Sequence, residues 1–203
     1  MWLLNCSNLV DPLLKNLRIF VVKFAEVKTE NRILDVCCAT GDQVFHYAKI
    51  GAIATGIDSN PKMIEIAARK QKSQRIDNVC FQVADATDLP FEDSTFDIAS
   101  ISLALHEIEK GERDKVISEM KRVVKKDGSL VFTDFKAPLP STKVAFLIMA
   151  IEYSAGKKHY ENFKNYLQEG GLPILLQKNK LKEEKIDYPQ DGLLIVIKTK
   201  NNF

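Results

Sequence analysis

Four short segments that carry polar or small residues each follow an apolar run typical of a β-strand. They are residues 37–42, Asp58, residues 85–86 and residues 102–106. In an open α/β sheet, ligands bind beyond the carboxyl ends of the strands. Because these four segments fall at such ends, we predict that they form one ligand site.

The first of these segments belongs to ILDVCCATGD, residues 33–42, which has the pattern of a strand, a tight turn and the start of a helix. Small residues allow the backbone of such a turn to approach a ligand, which the free N–H groups of the helix can bind. A positive φ would cost Ala39 about 1–2 kcal/mol, so we expect Ala39 to adopt an ordinary backbone conformation. A plain strand-to-helix turn without a ligand is the alternative.

The aspartates after the second and third strands could bind a nucleoside. Asp58 lies at a distance from the turn that suits a carboxylate bound to ribose hydroxyl groups, although it could instead cap the next helix. Asp85 and the N–H of Ala86 could contact an adenine ring, or Asp85 could form an Asx turn.

A histidine follows the fourth strand. His106 is a candidate general base, because the ordinary pKa of histidine lies near neutrality. Its alternative role is structural, as a histidine that caps the following segment.

The turn disfavours a dinucleotide. The glycine fingerprint of dinucleotide sites would fall on Cys37, Ala39 and Asp42. Asp42 would place negative charge where a diphosphate lies, so we do not favour NAD(P). A ligand with one ribose and a cationic or zwitterionic tail suits Asp35, Asp42 and Asp58 better.

Strands are predicted over residues 32–36, 52–57, 79–83, 96–101 and 129–135, and they alternate with helices, which predicts an α/β protein with a doubly wound, mostly parallel sheet. Asn60 should cap the helix that begins at Pro61 and has Met63, Ile64 and Ala67 on its inner face. A helix over residues 112–125 should end before a turn at Asp127-Gly128.

An amphipathic helix over residues 9–27 should cover the core or, alternatively, form part of a substrate entrance. Near the C-terminus, strands over 180–188 and 193–200 are joined by PQDG, residues 189–192, and should form an antiparallel hairpin.

Helices are predicted over residues 143–153 and 159–168. The first contains the apolar run KVAFLIMAIEY, which could form the wall or lid of an acceptor pocket, part of the core, or a weak membrane-surface contact. Tyr153, His159 and Tyr160 could face an acceptor, or pack as core or lid.

The composition indicates a single globular domain. The 203 residues are 45% hydrophobic and 28% charged, with a net charge of +2, so we expect no nucleic-acid partner. The four cysteines have no spacing typical of a metal site, and we expect no metal. No apolar run reaches the roughly 20 residues that span a bilayer, and we expect a reduced, cytoplasmic protein.

Five segments together resemble the successive motifs of class I S-adenosylmethionine-dependent methyltransferases. They are ILDVCCATGD, GIDSNPKMIEIA, DATDLPFEDSTFD, LALHEI and EMKRVVKKDGSLVFTDF. They are most similar to the ubiquinone/menaquinone-biosynthesis, or methyltransferase type 11, branch. The resemblance covers residues 32–136. It implies a Rossmann-like sheet of seven strands, the cofactor S-adenosylmethionine and the product S-adenosylhomocysteine.

The resemblance also implies which residues surround the cofactor. These are Asp35, Cys37, Ala39 and Gly41 at the methionine end, Asp58, Ser59 and Met63 beside the ribose and adenosine, Asp85 and Ala86 at the adenine, and Ser102 and Leu103 near the sulfonium. The family prefers glycine where this chain has Cys37 and Ala39. That difference motivates a second hypothesis, a non-catalytic S-adenosylmethionine-binding or interaction module on the same fold.

We expect one domain with four parts. Residues 1–30 form a helical cap, 31–136 the cofactor-binding core, 137–178 a variable substrate or lid region, and 179–203 the terminal hairpin. DNA amino-methyltransferases carry an NPPY-like tetrapeptide where this chain has SLAL. The apolar run in the variable region instead favours a small, partly hydrophobic metabolite as the acceptor. An NAD(P)-dependent oxidoreductase is the less favoured alternative.

Overall fold

A computed structural model describes residues 14–202, which form a seven-stranded sheet with helices packed against it. The strands are β1 (Arg32–Val36), β2 (Ile53–Asp58), β3 (Val79–Val83), β4 (Phe96–Ser102), β5 (Val124–Phe135), β6 (Glu183–Asp187) and β7 (Leu194–Lys200). The helices are α1 (residues 14–24), α2 (Asp42–Ala48), α3 (Pro61–Gln74), α4 (Lys110–Val123), α5 (Lys143–Ser154), α6 (Lys157–Gln168) and α7 (Gly171–Lys178).

The strands lie in the order β3-β2-β1-β4-β5-β7-β6. The first five are parallel, and β7 is antiparallel to both β5 and β6. A short turn, Pro189–Gly192, connects β6 to β7. The predicted fold, a mostly parallel α/β sheet that ends in an antiparallel hairpin, is therefore confirmed.

The strand order reverses at β1. The chain runs outward from β1 to β2 and β3, and then returns to place β4 on the other side of β1. At such a reversal the loops that follow the two neighbouring strands diverge and leave a crevice. The turn after β1 and the loop after β4, which both carry predicted site residues, border this crevice.

The sequence of β1 explains its central position. Ile33, Leu34 and Val36 are completely buried, as expected for a parallel strand that is covered on both faces. Asp35 interrupts the apolar run and is also buried. A carboxylate at this depth is unfavourable unless it has partners, so its presence indicates a local function rather than a contribution to the core.

Local signals correctly predicted how α3 begins. The side chain of Asn60 accepts a hydrogen bond from the N–H of Lys62 at 3.0 Å, and Pro61 occupies the first helical position. Asparagine is a favoured cap, and proline there lacks only an N–H that would have no helical partner. α3 buries Met63, Ile64 and Ala67, which is the predicted inner face.

Helix α7 was not predicted. Gly170 and Gly171 separate α6 from α7, since both have positive φ, and Gly170 caps α7. Pro173 is compatible with α7 because it lies in the first turn of the helix, where a missing N–H costs little. Leu172 and Leu176 are completely buried and anchor α7.

Several element boundaries differ from the prediction, and β6, predicted over residues 180–188, spans only Glu183–Asp187. The start of the predicted N-terminal helix, residues 9–13, lies outside the described residues, and α1 ends at residue 24. Helix α4 ends at Val123, and β5 begins at Val124 rather than at Ser129. The register between β4 and β5 shifts here, so the predicted Asp127-Gly128 turn is accommodated as an irregularity within β5.

Helix α5 is apolar but mostly uncovered. Phe146 is 76% exposed, Leu147 is 59% exposed and Val144 is 56% exposed. The alternative that this run belongs to the core is therefore wrong. The apolar pattern showed that the run is helical, but a run that is apolar on every side cannot indicate which side is covered.

A buried arginine connects three parts of the chain. Arg113 of α4 is 2% exposed. Its guanidinium donates to the carbonyl oxygens of Leu105 and Ile108, both at 3.0 Å, and to that of Asn162 in α6 at 2.8 Å. It therefore holds the loop after β4 against α6. Within residues 14–202, no helix has the length and apolar character needed to cross a membrane.

Candidate functional site

A cavity of about 460 Å³ lies at the carboxyl ends of β1 and β4. This volume falls in the usual range for small-molecule sites. Seven of the predicted cofactor residues line it, namely Asp35, Cys37, Ala39, Asp58, Met63, Ser102 and Leu103. The structure thus brings together residues from four segments of the chain.

A second cavity, of about 230 Å³, adjoins the first. Cys37 and Asp58 line both cavities. Ser59, Asp85 and Ala86, which are predicted to surround the nucleoside, line the second. The two cavities together follow the ends of β1, β2, β3 and β4.

Gly41 lines neither cavity but shapes the turn beside them. It caps α2 with φ of +81°, a conformation that strongly favours glycine. A Cβ atom at this position would lie 2.5 Å from the ring of Phe81 in β3. Glycine is therefore needed here both for its backbone conformation and for the close approach of the turn to β3.

The expectation of an ordinary backbone conformation at Ala39 is wrong. Its φ is +47°, and that of Cys37 is +58°. The cause is a long-range contact, because the carboxylate of Asp58 accepts a hydrogen bond from the N–H of Ala39 at 2.9 Å. A hydrogen bond to a charged group contributes about 1.5–3 kcal/mol, which is enough to offset the cost of about 1–2 kcal/mol for a left-handed alanine.

Asp58 also organises the start of α3. Its second carboxylate oxygen accepts a hydrogen bond from the N–H of Asn60 at 2.9 Å. The carboxylate therefore joins the turn after β1 to the residues before α3. An ionised carboxylate has about four acceptor positions, so these two bonds leave capacity for a ligand.

Asp35 is buried at the cavity wall beside an apolar core. Burial raises its pKa to about 7, although the hydroxyl of Ser100, which donates a hydrogen bond at 2.6 Å, opposes that shift. Asp35 therefore changes its charge near neutral pH. This makes it the carboxylate of the cavity whose charge responds most directly to a cationic ligand.

The charge of Asp42 is already compensated. Lys70 of α3 contacts its two carboxylate oxygens at 2.8 and 3.0 Å, and Thr40 donates to it at 2.9 Å. Burial works to raise the pKa of Asp42, but the bonds with Lys70 and Thr40 outweigh it and hold this pKa below its usual range. The negative charge that the sequence placed at the helix start is thus largely balanced by Lys70.

Asp85 forms the Asx turn that was the alternative to adenine binding. Its carboxylate accepts hydrogen bonds from the backbone N–H and the hydroxyl of Thr87, both at 2.8 Å. These bonds lower its pKa. Asp85 nevertheless lines the second cavity, so the turn also positions the carboxylate there.

Ser102 has an unsatisfied hydroxyl group. It lines the larger cavity, and its buried Oγ has no hydrogen-bond partner among the described residues. The next residue, Leu103, has φ of +52° and donates its N–H to the carbonyl of Thr133 at 2.8 Å. Unpartnered buried hydroxyls and left-handed residues are both concentrated at binding sites, where the surrounding structure offsets their cost.

His106 lies behind the cavity rather than in its wall. Its ring is 2% exposed, and Nδ1 contacts the carboxylate of Asp134 at 2.6 Å. Burial works to lower the pKa of His106, but the negative charges of Asp134 and Glu152 outweigh it and raise this pKa to about 9. The ring is therefore mainly protonated at neutral pH. The neighbouring Glu107 does line the cavity.

Several lining residues were not predicted individually. They are Leu14, Leu17, Arg18 and Val21 of α1, Gln43 and Asn60 near the turns, and Glu107 after β4, whereas Thr40, Asp42 and Ala104 belong to the predicted segments. Leu17 and Val21 are also buried in the core, so α1 covers the core as predicted, and its role at a substrate entrance stays a prediction. Tyr153, His159 and Tyr160 line neither of the two cavities.

The conformation of Ala39 leads to a stability prediction. Replacing Ala39 by glycine should leave the free energy of unfolding unchanged or raise it by about 0.5–1 kcal/mol, because glycine tolerates a positive φ. The matched control is Ala68→Gly in α3, which should lower it by about 1 kcal/mol. Urea denaturation measures both. A loss of 1 kcal/mol in Ala39→Gly would show that Ala39 is not left-handed.

Burial of Asp35 leads to a pH prediction. The pKa of Asp35 is raised on folding from 3.8 to about 7. Its stabilising contribution is therefore fully present below about pH 4 and is lost as the pH rises through 7. Between pH 5 and pH 8, the unfolding free energy of the parent should fall by roughly 2–3 kcal/mol more than that of Asp35→Asn. Parallel pH profiles in urea denaturation would contradict this expectation.

Comparison with known proteins shows what the chain is similar to. Residues 33–128 match a methyltransferase domain. A ubiquinone/menaquinone biosynthesis C-methyltransferase of Citrifermentans bemidjiense is 36% identical over 125 residues, which cover 60% of this chain and 52% of that protein. A sterol 4-C-methyltransferase of Caenorhabditis elegans is 30% identical over 168 residues, which cover 82% and 46%. The chain spans about half the length of these curated relatives.

Among solved structures, a methyltransferase from Aquifex aeolicus that is described as SAM-dependent matches with a TM-score of 0.69. Its sequence identity is 18%, and the match covers 90% of this chain and 88% of that one. At this identity the likeness shows the fold alone. The predicted resemblance to methyltransferases is confirmed by the match of residues 33–128 to a methyltransferase domain.

Proposed function

We propose that the chain is an S-adenosylmethionine-dependent methyltransferase that acts on a small, partly hydrophobic acceptor. The observation that carries this proposal is the pair of adjoining cavities that share Asp58. One cavity is lined by the residues predicted for the methionine end, and the other by those predicted for the adenine.

The residues of the site fit this cofactor chemically. Asp35 and Asp58 provide negative charge for a ligand that carries ammonium and sulfonium groups, and both line the larger cavity. The unpartnered hydroxyl of Ser102 is available to a polar ligand atom. The left-handed turn keeps backbone N–H groups near the start of α2, where a carboxylate is favoured.

When bound, S-adenosylmethionine supplies a methyl group that its sulfonium charge already activates. The protein then has to align the acceptor and exclude water. Apolar side chains in the cavity wall can align the acceptor and exclude water. They are Leu103 and Ala104, which follow β4, and Leu17 of α1. The role of His106 as a general base stays a prediction. Its Nδ1–H stays hydrogen-bonded to Asp134, so the protonated ring must first release the proton on Nε2 before Nε2 could accept one from an acceptor.

The apolar surfaces near the cavity support a partly hydrophobic acceptor. Leu14, Leu17 and Val21 line the cavity from α1. Helix α5 does not line the cavity; its Glu152 lies 3.8 Å from the ring of His106, behind the cavity wall. The relatives named for quinone and sterol methylation are consistent with an acceptor of this kind.

Cofactor binding can be tested by calorimetry with S-adenosylhomocysteine. Asp58→Ala should weaken binding by about 1.5–3 kcal/mol, or roughly 10- to 150-fold, because a charge-assisted hydrogen bond is lost. The control is Asp77→Ala, which should bind like the parent. Asp77 is exposed and precedes β3, so it lies at the amino ends of the strands, away from the cavities. Absence of binding to the parent protein at millimolar ligand would overturn the proposal.

Catalysis can be tested separately from binding. The protein should transfer a labelled methyl group from S-adenosylmethionine to at least one member of a panel of quinols, phenols and sterols, with equimolar S-adenosylhomocysteine released. Tight cofactor binding with no transfer to any such acceptor would instead support the non-catalytic alternative. Binding of NADH, followed by its fluorescence, with no binding of S-adenosylhomocysteine would support the oxidoreductase.

A further inference from the structure

Two histidines and two glutamates converge beside the larger cavity. His106 and Glu107 come from the loop after β4, Glu152 from α5 and His159 from α6. One ligand atom from each of His106, Glu152 and His159 lies within 4.8 Å of the others. Glu152 is buried, and the side chain of His159 is 21% exposed. These residues lie far apart in the sequence, and the packing of α5 and α6 brings them together.

The ring of His106 is oriented by groups behind it. Nδ1 contacts Asp134, a completely buried carboxylate of β5, at 2.6 Å. The rings of Phe135 and Phe163 pack against the imidazole at centroid distances of 4.9 and 5.6 Å. This arrangement directs Nε2 toward Glu107 and Glu152. A carboxylate that holds one ring nitrogen while the other faces a cluster of ligands is typical of metal-binding histidines.

The distances within the cluster match the spacing of ligands around an ion. Nε2 of His106 lies 3.8 Å from Glu152 and 3.7 Å from Glu107, and both distances exceed a good hydrogen bond. Nε2 of His159 contacts Glu152, whereas the other nitrogen of that ring, Nδ1, lies 3.9 Å from Glu107. Glu107 is therefore a neighbour of the three ligands rather than a fourth ligand. Two atoms bound to one tetrahedral ion at about 2.1 Å lie roughly 3.4 Å apart. Only a direct contact between His159 and Glu152 has to open to admit the ion.

We propose that His106, Glu152 and His159 form a binding site for a divalent transition-metal ion such as Zn²⁺, Mn²⁺ or Fe²⁺, with the carboxylate of Glu107 beside it. Imidazole and carboxylate are the ligands that these ions prefer, whereas Mg²⁺ and Ca²⁺ prefer oxygen ligands alone. The negative charges of Glu152 and of the neighbouring Glu107 favour a divalent ion here. No metal was predicted from the sequence because these residues lie far apart in the chain and have no spacing typical of a metal site.

The position of the site links it to the cavity. Glu107 lines the larger cavity and lies 3.7 Å from Nε2 of His106, so it lies between the cavity and the metal site and separates them. The metal site does not depend on the proposed methyltransferase function, because its ligands and those of the cofactor do not overlap. Metal binding and cofactor binding can therefore be measured independently.

The test uses Zn²⁺ as the probe, titrated by calorimetry into the metal-stripped protein. We expect one bound ion per chain. His159→Gln and Glu152→Gln should each weaken zinc binding on the order of 100-fold, because each removes a ligand. The matched control is His46→Gln in α2, the third histidine of the chain, which should bind zinc like the parent. The circular-dichroism spectrum and the urea unfolding midpoint of each variant, compared with those of the parent, serve as the check on folding.

A second measurement identifies the ligands if a variant does not fold. Cobalt(II) added to the stripped parent protein should give the absorption spectrum of a nitrogen- and oxygen-ligated ion, and excess Zn²⁺ should abolish it. Failure of the parent to bind Zn²⁺ at millimolar concentration would overturn the proposal and leave the cluster as a set of ion pairs between histidine and carboxylate. Equal zinc affinity in the parent and in folded His159→Gln would overturn it too.

Discussion

The carboxylate of Asp58 is the constraint on which the site geometry depends. It accepts hydrogen bonds from the N–H groups of Ala39 and Asn60, and so connects the ends of β1 and β2 to the start of α3. The bond to Ala39 offsets the cost of a left-handed residue that is not glycine. The turn is consequently held against the end of β2, and both Ala39 and Asp58 line the larger cavity.

Three aspartates that look alike in the sequence have different electrostatic roles because their surroundings differ. Asp35 is buried beside apolar strands, and its pKa is raised to about 7. Asp42 is paired with Lys70 and has a lowered pKa. Asp58 is engaged by backbone N–H groups. Desolvation, a nearby opposite charge and hydrogen bonding are the three causes that shift the pKa of a carboxylate. Desolvation dominates at Asp35, whereas at Asp42 it is outweighed, mainly by the hydrogen bonds and opposite charge of Lys70. Hydrogen bonds fix the position of Asp58.

Features governed by neighbouring residues were predictable from the sequence. The alternation of strands and helices, the cap at Asn60 and the terminal hairpin were all correct, because propensity and periodicity act locally. Most predicted cofactor residues line one of the two cavities. The conformation of Ala39 was not predictable, since its partner Asp58 lies 19 residues away. The exposure of α5 and the cluster around Glu152 were also missed, because both depend on how distant helices pack.

The partners of Arg113 have a consequence for how this architecture can diversify. The buried guanidinium binds the main-chain oxygens of Leu105, Ile108 and Asn162, and every residue type has such an oxygen. The side chains at these three positions can therefore be exchanged while the bonds persist. Because Arg113 holds the loop and α6 through main-chain atoms, substitutions on the surrounding surface can accumulate during evolution while these two segments stay in place.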